Sequence, residues 1–252
     1  MTRSGFWAAA LLAAPLAALL AHGAAAGEAA PPAPCDVPGD LVAPARPLGV
    51  VGRALQDGGE LDVLALGSGS LLGLRGGMDG SVPEHMLAAL RAGAPAATLH
   101  LTLHGARAAT AADMLASLRK EFSAHSYQLV LWQTGTVEAV RKVPTDQFRA
   151  TLEQGATAVA AAGAALVLID VPYSRLLEHN SDLLPYRAAM QALAAGGDVA
   201  LFRRYDLMRH WAETGEIDVE QADKRDRDHT AERLRACLGE ALAKLVLATP
   251  PT

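Results

Sequence analysis

The stretch "LDVLALGSGSLLG", residues 61–73, decides how the chain is read. Its first half is a short apolar run of strand length, which reads as a strand buried on both faces. Its second half, Gly67-Ser68-Gly69-Ser70-Leu71-Leu72-Gly73, is a glycine-rich turn. Such a turn at the end of a buried strand suits either a nucleophile or a phosphate-binding loop. The choice between them depends on the surrounding chain.

Working outward, further apolar runs fall at 97–104, 127–132, 165–170 and 199–203, joining the first at 62–66. Helical periodicity fills the gaps. Ser81-Val82-Pro83-Glu84 predicts a capping box with proline in the first turn, and Met86, Leu87 and Leu90 follow at helical spacing. Further helices are predicted over 110–123, 145–162, 181–195 and 230–248. Strand and helix in alternation imply parallel strands joined by right-handed crossovers. The predicted fold is α/β, a three-layer α/β/α sandwich with a mostly parallel five-stranded sheet. Its site belongs at the carboxyl ends of the strands.

Composition narrows the classes. A chain of 252 residues, 51% hydrophobic and 19% charged, has enough apolar content for one sizeable core. A net charge of -5 with scattered Lys and Arg excludes a nucleic-acid partner, and 4% aromatic content leaves no base-stacking surface. Residues 1–26 read as a signal peptide: Arg3, then an apolar run from Phe6 to Leu20, then Ala24-Ala25-Ala26 before the cut. That run is short against the roughly 20 residues of a bilayer span. The expectation is therefore a periplasmic or secreted protein with no stable membrane span after cleavage. Residues 27–47 should be an extended, Pro- and Ala-rich lead-in, and 48–252 the domain. The two cysteines, Cys35 and Cys237, predict one disulfide in an exported chain.

Gly67, Gly69 and Gly73 make G-x-G-x-x-x-G, which admits a dinucleotide reading. The second strand ends "LHLTLHGAR", however, without an acid to hold a ribose. No cofactor is expected. His100 and His104 share a strand face, but no helix carries H-x-x-x-H, so no metal is expected either.

The segments "LALGSGSLLG", "LHGARAATAADMLASL", "LVLWQTGTVEAV", "YRAAMQALAAGGDVALFRRYDLMRHW" and "DRDHTAERLRACL", in this order, resemble the SGNH/GDSL hydrolases, in particular exported bacterial members. The resemblance covers nearly all of the mature length. It implies a flavodoxin-like sandwich and ester hydrolysis by a serine nucleophile on the first loop, with oxyanion donors on the second and third and Asp-x-x-His on the last. Carried onto this chain, Asp226 is the orienting acid, His229 the base, and Gly105, with Gly69, lies on the oxyanion side. Two positions depart. The nucleophile's place falls on Gly69, flanked by Ser68 and Ser70, and Val137 stands for the oxyanion asparagine. A further second-loop glycine is replaced by Arg107 or Ala108.

Ser68 and Ser70 are thus either a shifted nucleophile or hydroxyls that satisfy the turn. Asp226 and His229 are either a catalytic pair or solvated residues before a helix capped by Thr230. Two functions follow. One is an ester hydrolase-like protein that acts on or binds acylated glycans or other envelope esters. The alternative is a non-catalytic homologue that binds a glycan or a partner protein.

Overall fold

A computed structural model describes residues 35–56, 58–220 and 224–248, all within one compact unit, Pro34–Thr252. The expected signal peptide lies outside the described residues. The strands are β1 (Glu60–Gly67), β2 (Thr98–Gly105), β3 (Leu129–Gln133), β4 (Ala165–Ile169) and β5 (Val199–Phe202). They pair in the order β2-β1-β3-β4-β5, and every pairing is parallel. This is the three-layer α/β/α sandwich read from the sequence.

Successive strand residues point to opposite faces, so each strand feeds two cores. Leu61, Val63 and Ala65 of β1 enter one core; Leu64 and Leu66 enter the other. The first core is closed by α2 (Gly49–Leu55), α3 (Val82–Gly93), α9 (Arg204–Thr214) and α10 (Lys224–Leu247). The second is closed by α4 (Ala111–Phe122), α6 (Thr145–Ala161) and α8 (Leu184–Ala195). Full burial of each Leu or Val is worth about 1.5–3 kcal/mol, so burial on both faces is what holds these strands. Trp211 of α9 is fully buried. Gly239 lets α10 lie against α3: a Cβ there would stand 2.4 Å from the His85 Cβ.

Several details differ from the expectations. Ser81 caps α3 by accepting the Glu84 N–H, but Glu84 reaches back to the Gly80 N–H, 2.6 Å away. The Ser81 N–H is already given to the Met78 carbonyl, so the reciprocal box cannot close. The lead-in, expected to be extended, makes one helical turn, α1 (Gly39–Val42). The helix expected over 181–195 is found as α8, starting at Leu184, and a short helix that was not expected, α7 (Arg175–Asn180), precedes it, capped by Ser174. The last helix begins at Lys224, not at Thr230. Thr230 is therefore an interior residue, and Asp226 and His229 lie in the first turns of α10 instead of a loop. Their charged, good helix-forming neighbours extend the helix toward its N-terminus.

Candidate functional site

The chain runs from β1 outward to β2 and then crosses to β3 on the other side, so β1 and β3 flank the topological switch point. Ser68 follows β1, and Gln133 ends β3. The Gln133 Oε1 accepts the Ser68 N–H at 3.2 Å, which turns its Nε2 toward the serine hydroxyls. That nitrogen donates to Ser70 Oγ at 2.9 Å and to Ser68 Oγ at 3.3 Å. Gly67 makes room for the amide, since a Cβ there would meet Gln133 Oε1 at 2.8 Å. Gly73 is needed because the Asp79 carbonyl passes 1.8 Å from where its Cβ would stand. The turn is followed by a long loop before α3, so the glycines do not open directly onto a helix N-terminus as a dinucleotide fingerprint requires.

A second polar layer lies behind the serines. Arg204, the first residue of α9, is 5% exposed and donates from Nη1 to Ser70 Oγ at 3.3 Å. Burial pushes its guanidinium down to about 10, Arg235 adding to the effect and Asp170 opposing it, so it stays charged at neutral pH. Asp170, buried beyond β4, accepts from Arg187 Nε at 2.9 Å. Burial raises its carboxyl above the ordinary range, against the pull of Arg187. Arg187 also donates to Asp206 at 3.1 Å and stacks 3.8 Å from the Tyr205 ring centre. Burial disfavours the Arg187 cation, but these carboxylates win and hold it above its usual value.

Beyond Arg187 and Tyr205, α5 (Thr136–Arg141), α7 and α8 enclose a cavity of about 650 Å³. Its lining is mainly apolar, with Lys142, Glu178, His179, Asn180 and Asp182 adding polar groups. A smaller cavity, about 190 Å³, opens at the ends of β1 and β2 beside Gly67, His104, Gly105 and Asp113. His104 there pairs with Glu121, 2.7 Å away.

The structure brings together Ser68, Gly69 and Ser70 but not the rest of the expected constellation. Asp226 and His229 are exposed on α10, and among the described residues neither bonds to the other or to a serine. Gly105 has a packing reason of its own: a Cβ there would stand 2.3 Å from Leu72 Cδ2. Ala108 takes φ 60, a conformation that favours glycine, whereas Arg107 is not among the positive-φ residues. Val137 is half-buried in α5, and the polar work of that loop falls to its neighbour. Glu138 is 1% exposed and accepts the N–H groups of Ala111, at 2.5 Å, and Gly135, at 2.8 Å.

Sequence reasoning passed over Gln133, Arg204, Asp170 and Arg187. The available signal was a polar residue closing an apolar run, as in "LVLWQ" and "LVLID", where a parallel strand meets its site. At the opposite, amino-terminal ends of β1 and β2, Glu60, Asp62 and His100 bring ligand-type atoms within 4.8 Å of one another. Strand pairing sets Asp62 against His100, a juxtaposition that no spacing along the chain reveals.

A parallel sheet in this order, with a serine turn at its switch point, defines an SGNH/GDSL hydrolase-like protein. The chain belongs to the non-GDSL lipase-like family, whose family model matches residues 34–250. The first loop reads Gly67-Ser68-Gly69-Ser70, and the chain contains no Gly-Asp-Ser-Leu. Among solved structures, it is similar to a mutant of Axe2, an acetyl-xylooligosaccharide esterase from Geobacillus. That pair is 14% identical with TM-score 0.56, over 72% of this chain and 94% of the other. It is also similar to TesA, at 18% identity and TM-score 0.54, over 73% and 99%. A G-D-S-L lipolytic protein from Veillonella parvula DSM 2008 aligns at 12% identity and TM-score 0.54, over 71% and 95%. At these identities the likeness is one of fold. No curated protein matches the chain.

Cys35 and Cys237 form the expected disulfide, with Cα atoms 5.5 Å apart. No helix among the described residues is long and apolar enough to cross a membrane.

Proposed function

We propose that this is an exported SGNH-fold protein, its leader removed after Ala26, that binds acylated glycans or other envelope esters at the β1/β3 edge without hydrolysing them. One observation carries the reading. Both serine hydroxyl oxygens accept hydrogen bonds from donors, Gln133 and, at Ser70, Arg204 as well, while His229 bonds to neither. A serine nucleophile needs the reverse, an acceptor imidazole for its proton. The cavity of about 650 Å³ next to Arg187 is of ligand size, and the polar groups in its mainly apolar lining suit the sugar part of such a ligand. The acetyl-xylooligosaccharide esterase among the fold relatives acts on this class of compound. The disulfide and the leader-like N-terminus support export.

Hydrolysis of p-nitrophenyl acetate by the mature protein, beside its His229→Ala variant, tests the reading. The two should match each other and stay near the uncatalysed rate, while calorimetry detects binding of acetylated xylo-oligosaccharides. Brisk turnover that disappears in Ser68→Ala or Ser70→Ala would overturn it and make a shifted serine the nucleophile.

A further inference from the structure

A hydroxyl oxygen has two lone pairs. At Ser70 both are taken, one by Gln133 Nε2 at 2.9 Å and one by Arg204 Nη1 at 3.3 Å. With both lone pairs so used, the Ser70 hydrogen is left to point away from these two donors, and Ser70 is an exposed residue. The residue presents a donor to solvent, with its oxygen polarised by an amide and a cation beneath.

Cations lie closest to this donor. Among the described residues no carboxylate comes within 4.0 Å of Arg204, and its buried Nε has no partner. The nearby Asp170 carboxylate is engaged by Arg187. Arg235 adds a second cation, donating from Nε to the Leu72 carbonyl at 2.9 Å; Glu232 lies 3.6 Å from its Nη1. Arg107 supplies a third at the rim: its Cγ lies 3.7 Å from where a Gly69 Cβ would stand, and it is exposed and makes no ion pair with another described residue. A buried guanidinium without a close counter-ion is costly unless a partner completes it.

We propose that Ser70 heads a receptor for an oxyanion, a carboxylate or phosphate carried by the ligand, which accepts the Ser70 O–H above Arg204 and beside Arg107. The proposal rests on the ester-binding reading and adds to it a preference for ester ligands that also carry an acidic group. Gln133 and Arg204 are positioning residues here: they aim the hydroxyl and supply the field, and the anion touches Ser70.

Calorimetric titration of the mature protein with inorganic phosphate, acetate and the neutral ester xylose tetraacetate is the test. Phosphate and acetate should bind wild type, more weakly as ionic strength rises. Ser70→Ala should weaken both by at least about tenfold, the worth of one charge-assisted hydrogen bond. Arg107→Ala, on the surface, should weaken them with no change in Tm. Ser70→Asp plants a tethered carboxylate over Arg204, so it should abolish anion binding and raise Tm. Failure of wild type to bind either anion, or equal binding by Ser70→Ala and Arg107→Ala, overturns the receptor. So does a Ser70→Asp protein that loses stability and still binds phosphate. Anion binding without any tetraacetate binding would sink the ester reading and leave the receptor standing.

Discussion

At the residue scale, the first loop is defined by what its side chains accept. Gly69 stands where the resemblance places a nucleophile, and the structure leaves room for one: the nearest atom to an added Cβ is Arg107 Cγ, at 3.7 Å. Gly69→Ser should therefore fold with stability within about 0.5 kcal/mol of wild type. The double variant Gly69→Ser/Val137→Asn restores a hydroxyl and an amide, yet His229 on α10 holds no bond to Asp226 that would orient it. The double is expected to fold and remain inactive toward p-nitrophenyl acetate; a large rate gain that His229→Ala removes would show the pair to be competent. Ala108 is a sharper case of inherited backbone. It keeps φ 60 without a glycine, so Ala108→Gly should stabilise the protein by about 1 kcal/mol in urea unfolding. An unchanged or lowered midpoint would mean that the second loop does not hold this conformation in solution.

At the scale of elements, α4 begins under two sets of acceptors. Thr110 and Asp113 close a capping box, and Glu138 reaches across from α5 to the Ala111 N–H. The box hydrogen bonds hold the Asp113 carboxyl below its ordinary value. Glu138 also accepts the Gly135 N–H, so one buried carboxylate ties the starts of two helices. Glu138→Ala strands these donors and should cost about 2–4 kcal/mol by chemical denaturation, whereas Glu138→Asp, too short to span both, should fall between. The sequence shows part of this. The start of α4 at Thr110 was legible because a cap and its acid are local. The cross-element role of Glu138 was not, because nothing in "GTVEAV" names a partner 27 residues upstream. The same holds for α10, whose extension to Lys224 hides behind Thr230, a residue equally at home as a cap or inside a helix. The five strands, their parallel direction and their burial on both faces were readable from apolar runs alternating with helices, whereas their order in the sheet was not; the Gln133–Ser70–Arg204 contact joins three distant segments and has no local signature.

At the scale of the whole molecule, the lead-in is fastened across the helices of one face. Cys35 is bonded to Cys237 of α10 across 202 residues of sequence. Beside it, the Trp211 Nε1 donates to the Asp36 carbonyl at 2.5 Å, and His210 Nε2 lies 3.0 Å from Asp36 Oδ2. The N-terminal segment thus clips α9 and α10, and these same helices carry Arg204 and Arg235 to the serine loop. A link closing so long a loop restricts the unfolded chain strongly, and its removal should cost about 2–5 kcal/mol. Cys35→Ala/Cys237→Ala should lower Tm by many degrees, and reductant should lower the wild-type Tm toward the same value. Because Cys237 sits less than one turn beyond Arg235, the loss should also reach the site: phosphate affinity should drop in the double variant at a temperature where it is still folded. If Tm falls while phosphate binding is untouched, the clip stabilises the fold without helping to hold Arg235 and Arg204 at the loop.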